Sequence, residues 1–495
     1  MIPFLNSPLV TLQNKFVILQ WAAGERSLYN HLARGHSEEQ AREAFEQAEI
    51  LFSNTYEELL QQPAGTFHPG QPGRHKEQAE LPRHYGGYNM PTLRNLHEPA
   101  LAGAMVGIID LLGQCKPELL GAEERDPQQW YKCTSARLRD ASISIKTLLA
   151  SPYFAHMNNP RTAEIYSTLV DSPIEGETDP NPKANFQKIS ECQRQNAQML
   201  FSAIRFTEIK ARLMDDPNIS RQVKHRLQVA SQPGSGTASL VVPTEKCLEM
   251  GDAATMQAIC CRLGLAIPGL HMRTRCLPNC TQMGPHAQLT ESTVRENIMT
   301  GLHFLGCKCC GTYDRHNQVA QVALAYLRNE LKFTGSTSSV DSNYVGTSAD
   351  GKSKHTDGQV WGSLSWLRRL AIDVSIVNPT APSHSGAGAC AESFLNPNAG
   401  TRAAEETKTR KYKLLCEQRG MDFVPIVFTT SGGMGEQFQR RYWNPHWIRV
   451  AEEDEAMKIG PWVARKRKAF WEARFAVAVA NCNAGMISRS QHITD

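Results

Sequence analysis

Apolar residues recur at helical spacing over the first third of the chain. Ser37 starts the sequence SEEQ, a capping box, and the apolar residues behind it follow a period of about 3.6. This pattern predicts a long helix that continues to Leu59. The polar residues 61–80, rich in Pro and Gly, interrupt the pattern and predict a flexible linker. A Gly-Gly turn at residues 86–87 and further helices are predicted after it.

The pattern changes in the last third of the chain, where helices and strands alternate. A helix is predicted from Asp314, and a loop at residues 334–356, which are rich in Ser, Gly and Thr. The run LAIDVSIV at residues 370–377 predicts a buried strand. Residues 401–419 predict a helix that ends at a glycine, and residues 422–430 predict a second apolar strand. This alternation indicates an α/β domain.

Composition limits the possible classes of protein. The chain has 495 residues, of which 41 % are hydrophobic and 21 % charged, which is typical of a globular protein with several domains. No run approaches about 18 uninterrupted apolar residues, so no membrane span is predicted. The first residues lack the features of a signal peptide, and the 14 cysteines are therefore expected in a reducing compartment. Clustered cysteines there are better interpreted as metal ligands than as disulfides.

The net charge of +4 is too small to imply a partner, but basic residues cluster locally at residues 410–413, 439–441 and 464–468. The last of these clusters lies in a helix predicted at residues 461–482, together with two tryptophans. Such a helix could follow a nucleic-acid backbone. Alternatively, it is an amphipathic packing helix whose basic face is solvated.

An aspartate, Asp373, lies within the best apolar strand of the last third. A buried carboxylate is costly unless it has a partner. Asp357 lies 16 positions earlier, beyond a stretch that predicts a turn. Two carboxylates that converge from adjacent strands can hold Mg²⁺. Lys408 is predicted on an inward stripe of helix 401–419, with Ala404, Lys411, Tyr412 and Leu415. Alternatively, Lys408 reaches solvent and Asp373 faces water from an edge strand.

Cysteine and histidine residues form a second candidate site. The pattern C-x₃-C-x₂₂-H-x₃-C is made by Cys276, Cys280, His303 and Cys307. Thiolate and imidazole ligands in a tetrahedral arrangement suit Zn²⁺. Cys309, Cys310 and His286 are possible substitutes for these ligands. The alternative is a set of buried thiols without a metal.

From residue 240 onward, the order of the motifs resembles the C-terminal part of non-LTR (LINE-like) retrotransposon polyproteins. In those proteins a zinc knuckle precedes a restriction-like endonuclease of the PD-(D/E)XK type. The matching segments are RLGL (262–265), the H-x₃-C and RHN motifs (303–317), Asp357 with Asp373, AAEETKTRKY (403–412) and FVPIVFTTSGGMGEQ (423–437). Upstream, LPRHYGG (81–87) resembles the region that follows the reverse transcriptase core. No Y-x-D-D string is present, so no reverse transcriptase active site is expected in this chain.

The resemblance implies a multidomain α + α/β fold. A helical N-terminal half would lead to a Cys/His zinc knuckle and a C-terminal restriction-endonuclease-like α/β core. Residues 1–120 would resemble the post-polymerase thumb, and residues 121–237 would form a helical linker region. Residues 238–313 would contain the pre-knuckle segment and zinc knuckle, and residues 314–495 the nuclease domain.

The implied function is nicking of DNA that depends on Mg²⁺ or Mn²⁺. Asp357 and Asp373 would bind this metal, and Lys408 and Tyr412 would complete the catalytic set. The expected partners are DNA and, as a further candidate, element RNA, in the nucleus or the cytoplasm. The alternative is a decayed remnant that binds nucleic acid without cutting it.

The chain departs from the family pattern at three positions. Thr356 replaces the proline that usually precedes the first aspartate, and no lysine follows Asp373 closely. Lys408, on the helix, would take the place of that lysine. Glu330 is the nearest candidate for the acidic residue that the family often has upstream.

Overall fold

A computed structural model gives the three-dimensional structure of the chain. It describes residues 7–22, 38–67, 74–90, 99–101, 103, 197–270, 299–306, 312–337, 343–348, 350–362, 369–380, 398–458 and 462–492. Over these residues the fold is mixed, with helices throughout and a small sheet in the C-terminal third. This agrees with the predicted α + α/β class. None of the helices among these residues is long and apolar enough to cross a membrane.

Seven α-helices lie before residue 312 in the described ranges. They are α1 (Leu12–Ala22), α2 (Glu38–Leu59), α3 (Arg74–Glu80), α4 (Ala197–Asp215), α5 (Arg221–Ala230), α6 (Asp252–Leu263) and α7 (Leu302–Gly306). Aromatic side chains of α1 and α2, including Phe16 and Tyr56, pack with Ile259 and Leu263 of α6 in one apolar core. The helix predicted behind the capping box is confirmed as α2.

The linker predicted at residues 61–80 is wrong in two places. Phe67 is fully buried, because Glu57 accepts hydrogen bonds from the backbone N–H groups of Gly65 and Phe67, at 3.0 and 2.6 Å. The last seven residues of this stretch form helix α3. The Gly-Gly turn is confirmed. Gly86 has φ +96°, and an added Cβ would lie 2.4 Å from the Leu227 carbonyl oxygen.

Five α-helices and six strands lie in the described residues of the C-terminal third. The helices are α8 (Thr312–Asn329), α9 (Ala399–Glu417), α10 (Glu436–Phe438), α11 (Asn444–Ala456) and α12 (Trp462–His492), with a π-helical turn at Gln439–Trp443 between α10 and α11. The strands are β1 (Phe333–Thr337), β2 (Tyr344–Thr347), β3 (Ser353–His355), β4 (Gly358–Gly362), β5 (Arg369–Val377) and β6 (Met421–Thr429). The strands predicted at 370–377 and 422–430 are therefore confirmed.

The main sheet has the order β1-β4-β5-β6. Strands β1, β4 and β5 pair antiparallel, whereas β5 and β6 are parallel and are joined through α9. Side chains alternate between the two faces of a strand. Leu370, Ile372 and Val374 of β5 pack in a core that also contains residues of α8 and α12. Ala371 packs on the opposite face with Tyr412 and other residues of α9. The alternation therefore places Asp373 on the α9 side.

The loop predicted at residues 334–356 is wrong, because these residues contain three strands. β1 forms one edge of the main sheet, and β2 and β3 form a separate antiparallel hairpin. Val345 of the hairpin is buried against α9 with Tyr412 and Cys416. Residues 358–362, expected in a turn, form β4 instead. The hairpin therefore borders the α9 side of the sheet.

Helix α12 extends across both parts of the structure. Trp471, Phe475 and Val479 pack beneath the C-terminal sheet, whereas Ile487 lies in the core formed by α1, α2 and α6. The segment after α5 also reaches the sheet, since the Gly236 N–H donates to the Ser431 carbonyl oxygen at 3.0 Å. The domain limits at residues 120, 237 and 313 stay predictions.

Candidate active site

Asp373 lies at the centre of the candidate site and is 3 % exposed. It belongs to β5, whose apolar, β-branched sequence favours a central strand. Lys408 projects towards it from α9, and its Nζ lies 2.5 Å from Asp373 Oδ2. The aspartate therefore does not face water from an edge strand, because β4 and β6 flank β5 on both sides.

Asp357 lies beside Asp373, just before β4. Gly358 pairs with Ile372, and the same antiparallel register places Asp357 opposite Asp373. The Asp357 N–H donates to the Ile372 carbonyl oxygen at 2.9 Å. Its side chain turns towards β5, where Oδ2 accepts a hydrogen bond of 2.5 Å from the Val374 N–H. Strand pairing thus brings two carboxylates together that are 16 residues apart in sequence.

His316 is a member of this cluster that the sequence analysis did not assign to the site. Its Nε2–H donates to Asp357 Oδ2 at 3.0 Å. The hydrogen bond to Asp357 raises the pKa of His316, and burial opposes this effect. His316 lies in the first turns of α8, within the RHN motif. The RHN motif was the signal in the sequence that could have identified His316. Its position along the chain, however, does not indicate that His316 contacts Asp357.

Tyr412 lies one helical turn beyond Lys408 on the buried face of α9. Its ring is 5.9 Å from Lys408 Nζ, and burial together with the charge of Asp373 raises the pKa of the phenol. The predicted inward stripe is correct for Lys408 and Tyr412 but wrong for Lys411, which is exposed. Thr401, Glu405 and Cys416 are the other side chains buried on this face.

The electrostatics of the site favour a bound cation. Burial, and then the charge of Asp357, raises the pKa of Asp373, because both disfavour its ionised form. Asp373 Oδ2 is buried and lies 2.5 Å from the Lys408 ammonium, which supplies one cation at the site. A buried carboxylate oxygen of this kind fits a hard cation such as Mg²⁺, which takes oxygen ligands. Asp357 would supply the second carboxylate.

Glu330 does not supply the upstream acidic residue. It lies just beyond the far end of α8, about 21 Å along the helix axis from His316 at 1.5 Å per residue. Its carboxylate accepts hydrogen bonds from Arg467, at 2.6 Å, and from the Trp471 indole, at 2.8 Å. Burial opposes ionisation, but His446 at 3.7 Å, the hydrogen bond from Trp471 and the charge of Arg467 lower the pKa of Glu330 to about 2. Its role is structural.

Glu405 supports the site from the N-terminal side of Lys408. This carboxylate is 1 % exposed, and its Oε1 accepts a hydrogen bond of 2.9 Å from the Gln437 N–H. Burial raises the pKa of Glu405 to about 7. The side chain thereby ties α9 to α10, which fixes the position of α9 over Asp373.

The zinc site stays a prediction, because Cys276, Cys280 and Cys307 lie outside the described residues. His303 is described and lies in α7, 8 % exposed. Over the residues whose positions are described, no group of three or more His, Cys, Asp or Glu side chains is arranged to hold a metal ion. Three of the four predicted zinc ligands are not among them.

The basic run at residues 464–468 begins helix α12. Arg465 and Lys466 are exposed, whereas Arg467 pairs with Glu330 and Trp471 is buried beneath the sheet. Trp471 is therefore a core residue, which favours the packing interpretation for this part of the helix.

Comparison with models of known protein families gives no match. Comparison with curated proteins gives no significant match either.

Proposed function

We propose that the C-terminal third of this chain is a metal-dependent DNA endonuclease of the restriction-like type. The observation that supports this most directly is a buried carboxylate on a central strand, Asp373, with a lysine 2.5 Å away and a second aspartate opposite it in the register. A buried carboxylate with a raised pKa that faces a lysine and a second carboxylate is common at catalytic sites. The substrate would be DNA, with one strand cut to prime insertion of an element.

Asp357 and Asp373 would hold Mg²⁺ or Mn²⁺ in this proposal. The bound ion would stabilise charge on the scissile phosphate and lower the pKa of a water molecule. Lys408 would orient the attacking water or hold an oxygen of the phosphate, since it is already directed at Asp373. Tyr412 would support Lys408 from the buried face of α9.

We further propose that the chain derives from a non-LTR retrotransposon polyprotein. A zinc ion bound by Cys276, Cys280, His303 and Cys307 belongs to this proposal, because thiolate and imidazole donors suit Zn²⁺. Metal analysis of purified protein should give one zinc per chain. If the purified protein contains no zinc, or if Cys307→Ser retains all of it, the proposed zinc site is wrong.

The nuclease proposal is tested by nicking of supercoiled plasmid in the presence of Mg²⁺ or Mn²⁺. Wild-type protein should convert the plasmid to open circles, and Asp373→Ala should not. Lys408→Ala should also fail to cut but should bind DNA almost as tightly as wild type, because one lysine is a small part of a footprint of many phosphates. Cutting by Lys408→Ala at the wild-type rate would remove the lysine from the mechanism.

A second candidate function, binding of nucleic acid without cutting, is favoured by one specific observation. Both carboxylates already have basic partners, Lys408 for Asp373 and His316 for Asp357, as in a purely structural ion-pair network. A protein that binds DNA but leaves the plasmid supercoiled under both metals would support this candidate. Failure of the purified chain to adopt a defined fold would instead indicate an inert remnant.

A further inference from the structure

Three lysines converge on the acidic pair from two different elements. Lys408 and Lys411 lie three residues apart on α9, and Lys354 belongs to β3, three residues before Asp357. The hairpin that carries Lys354 packs against α9 through Val345 and Gly346. Packing of the hairpin on the helix thus brings lysines that are more than fifty residues apart in sequence to the same edge of the site.

Lys354, Lys408 and Lys411 are balanced by three aspartates around them, Asp350, Asp357 and Asp373. Burial, and then the positive charge of Lys408, lowers the pKa of Lys411, and the charge of Lys354 acts in the same direction. Lys408 is paired with Asp373. In the described part of the chain, no carboxylate forms an ion pair with Lys411. A divalent cation on the two aspartates would give the cluster an excess of positive charge.

The fold holds two of these ammonium groups in place without neutralising them strongly. Lys411 Nζ lies 4.5 Å from the centroid of the Tyr412 ring, a cation–π contact that directs the side chain along α9. Lys354 is 17 % exposed, and its only ion-pair partner in the described residues, Asp350, is half exposed at 3.9 Å. Like charges gathered at one edge of a cleft are unfavourable by themselves and favour an anionic ligand.

We propose that Lys354 and Lys411 form a subsite for backbone phosphates that flank the scissile phosphate. DNA is the ligand because successive phosphates along one strand can meet successive lysines at the cleft edge. The identity of this nucleic acid rests on the proposed nuclease function. Lys408 is separate from the subsite, since it contacts Asp373 directly and belongs to the chemistry.

The test is binding of a short fluorescent DNA duplex to the full chain in EDTA, measured by anisotropy over a series of salt concentrations. Without metal no strand is cut, so binding is measured independently of catalysis. Each lysine that contacts a phosphate contributes about 1 to the slope of log affinity against log salt concentration. The double variant Lys354→Gln/Lys411→Gln should therefore bind more weakly and lower the slope by about 2.

Lys413→Gln is the matched control. Lys413 lies on the same helix but on its exposed side, where it pairs with Glu417 at 3.8 Å. The Lys413→Gln variant should keep the wild-type slope. Wild type, the double variant and this control should all unfold at the same temperature. A double variant with the affinity and slope of the control would overturn the subsite, as would a wild-type chain that binds no DNA.

The outcomes also separate this proposal from the nuclease proposal. If wild type binds DNA through these lysines but never nicks plasmid with Mg²⁺ or Mn²⁺, the subsite stands and the nuclease function fails. If wild type nicks plasmid and the double variant binds and nicks as well as wild type, the subsite fails and the function stands.

Discussion

Replacement of Lys408, the partner of the buried Asp373, is the most direct test of the site. Lys408→Ala leaves the Asp373 carboxylate, which is 3 % exposed, without the cation that lies 2.5 Å from it. Loss of one partner of a fully buried ion pair costs about 3–5 kcal/mol of stability. Because the Lys408 side chain is 25 % exposed and screened by water, we expect a smaller loss of about 1–3 kcal/mol at neutral pH.

The pH dependence of this loss follows from the direction of the pKa shift. The folded-state pKa of Asp373 is raised, so stability is lost as the pH rises through that pKa and the buried carboxyl ionises. Lys408→Ala should raise this pKa further. Its destabilisation should therefore be small at about pH 4, near the ordinary range of an aspartate, and largest at about pH 8.

A double-mutant cycle isolates the contribution of the pair. Asp373→Asn removes the charge, so Lys408→Ala should cost little in that background, and the coupling energy should be about 1–3 kcal/mol. The assay is urea unfolding of the four proteins at both pH values. An equal cost of Lys408→Ala in both backgrounds, or at both pH values, would show that the lysine acts by packing alone and would refute this reasoning.

Three further predictions concern Glu405, Asp357 and the turn at Gly86. Glu405→Gln keeps an acceptor for the Gln437 N–H but removes a group with a raised pKa of about 7. Wild type should therefore lose stability as the pH rises through about 7, and the variant should not; parallel thermal-unfolding curves would contradict this. Asp357→Asn should abolish plasmid nicking because it removes a metal ligand. Nicking retained by this variant would exclude Asp357 from the site. Gly86→Ala should lower the free energy of unfolding by about 1–3 kcal/mol, measured in urea, because φ is +96° and Leu227 blocks a Cβ. An unchanged unfolding midpoint would mean that the turn relaxes.

The sequence was sufficient to find β5 and α9 because each has an unambiguous local signal. An apolar, β-branched run predicts β5, and periodicity ending at a glycine predicts α9. The residues alone left open whether Lys408 meets Asp373 or reaches solvent, and only the resemblance placed both in one site. Sequence reasoning fails at residues 334–356, where Ser, Gly and Thr predict a loop. The strands there depend on pairing with β4 and on packing against α9, which no local window contains.

His316 and Glu330 show why the site could be predicted only in part. His316 lies near the start of α8 and Glu330 just beyond its end, and Glu330 is the carboxylate, so ligand chemistry alone favours Glu330. Only the tertiary arrangement shows that the start of α8 meets Asp357 while its end meets Arg467 and Trp471. Phe67 is a similar case, because the carboxylate of Glu57 secures a segment whose composition predicts a linker.

The path of α12 has a consequence for the order in which the protein can fold during synthesis. This helix of 31 residues is about 46 Å long, and it completes the core beneath the sheet with Phe475 and the N-terminal core with Ile487. The N-terminal helices leave the ribosome before α12, so their core is closed only after α12 has been synthesised. A stop codon before residue 462 would therefore leave exposed apolar surface in both halves, and the truncated chain would be a target for aggregation or proteolysis.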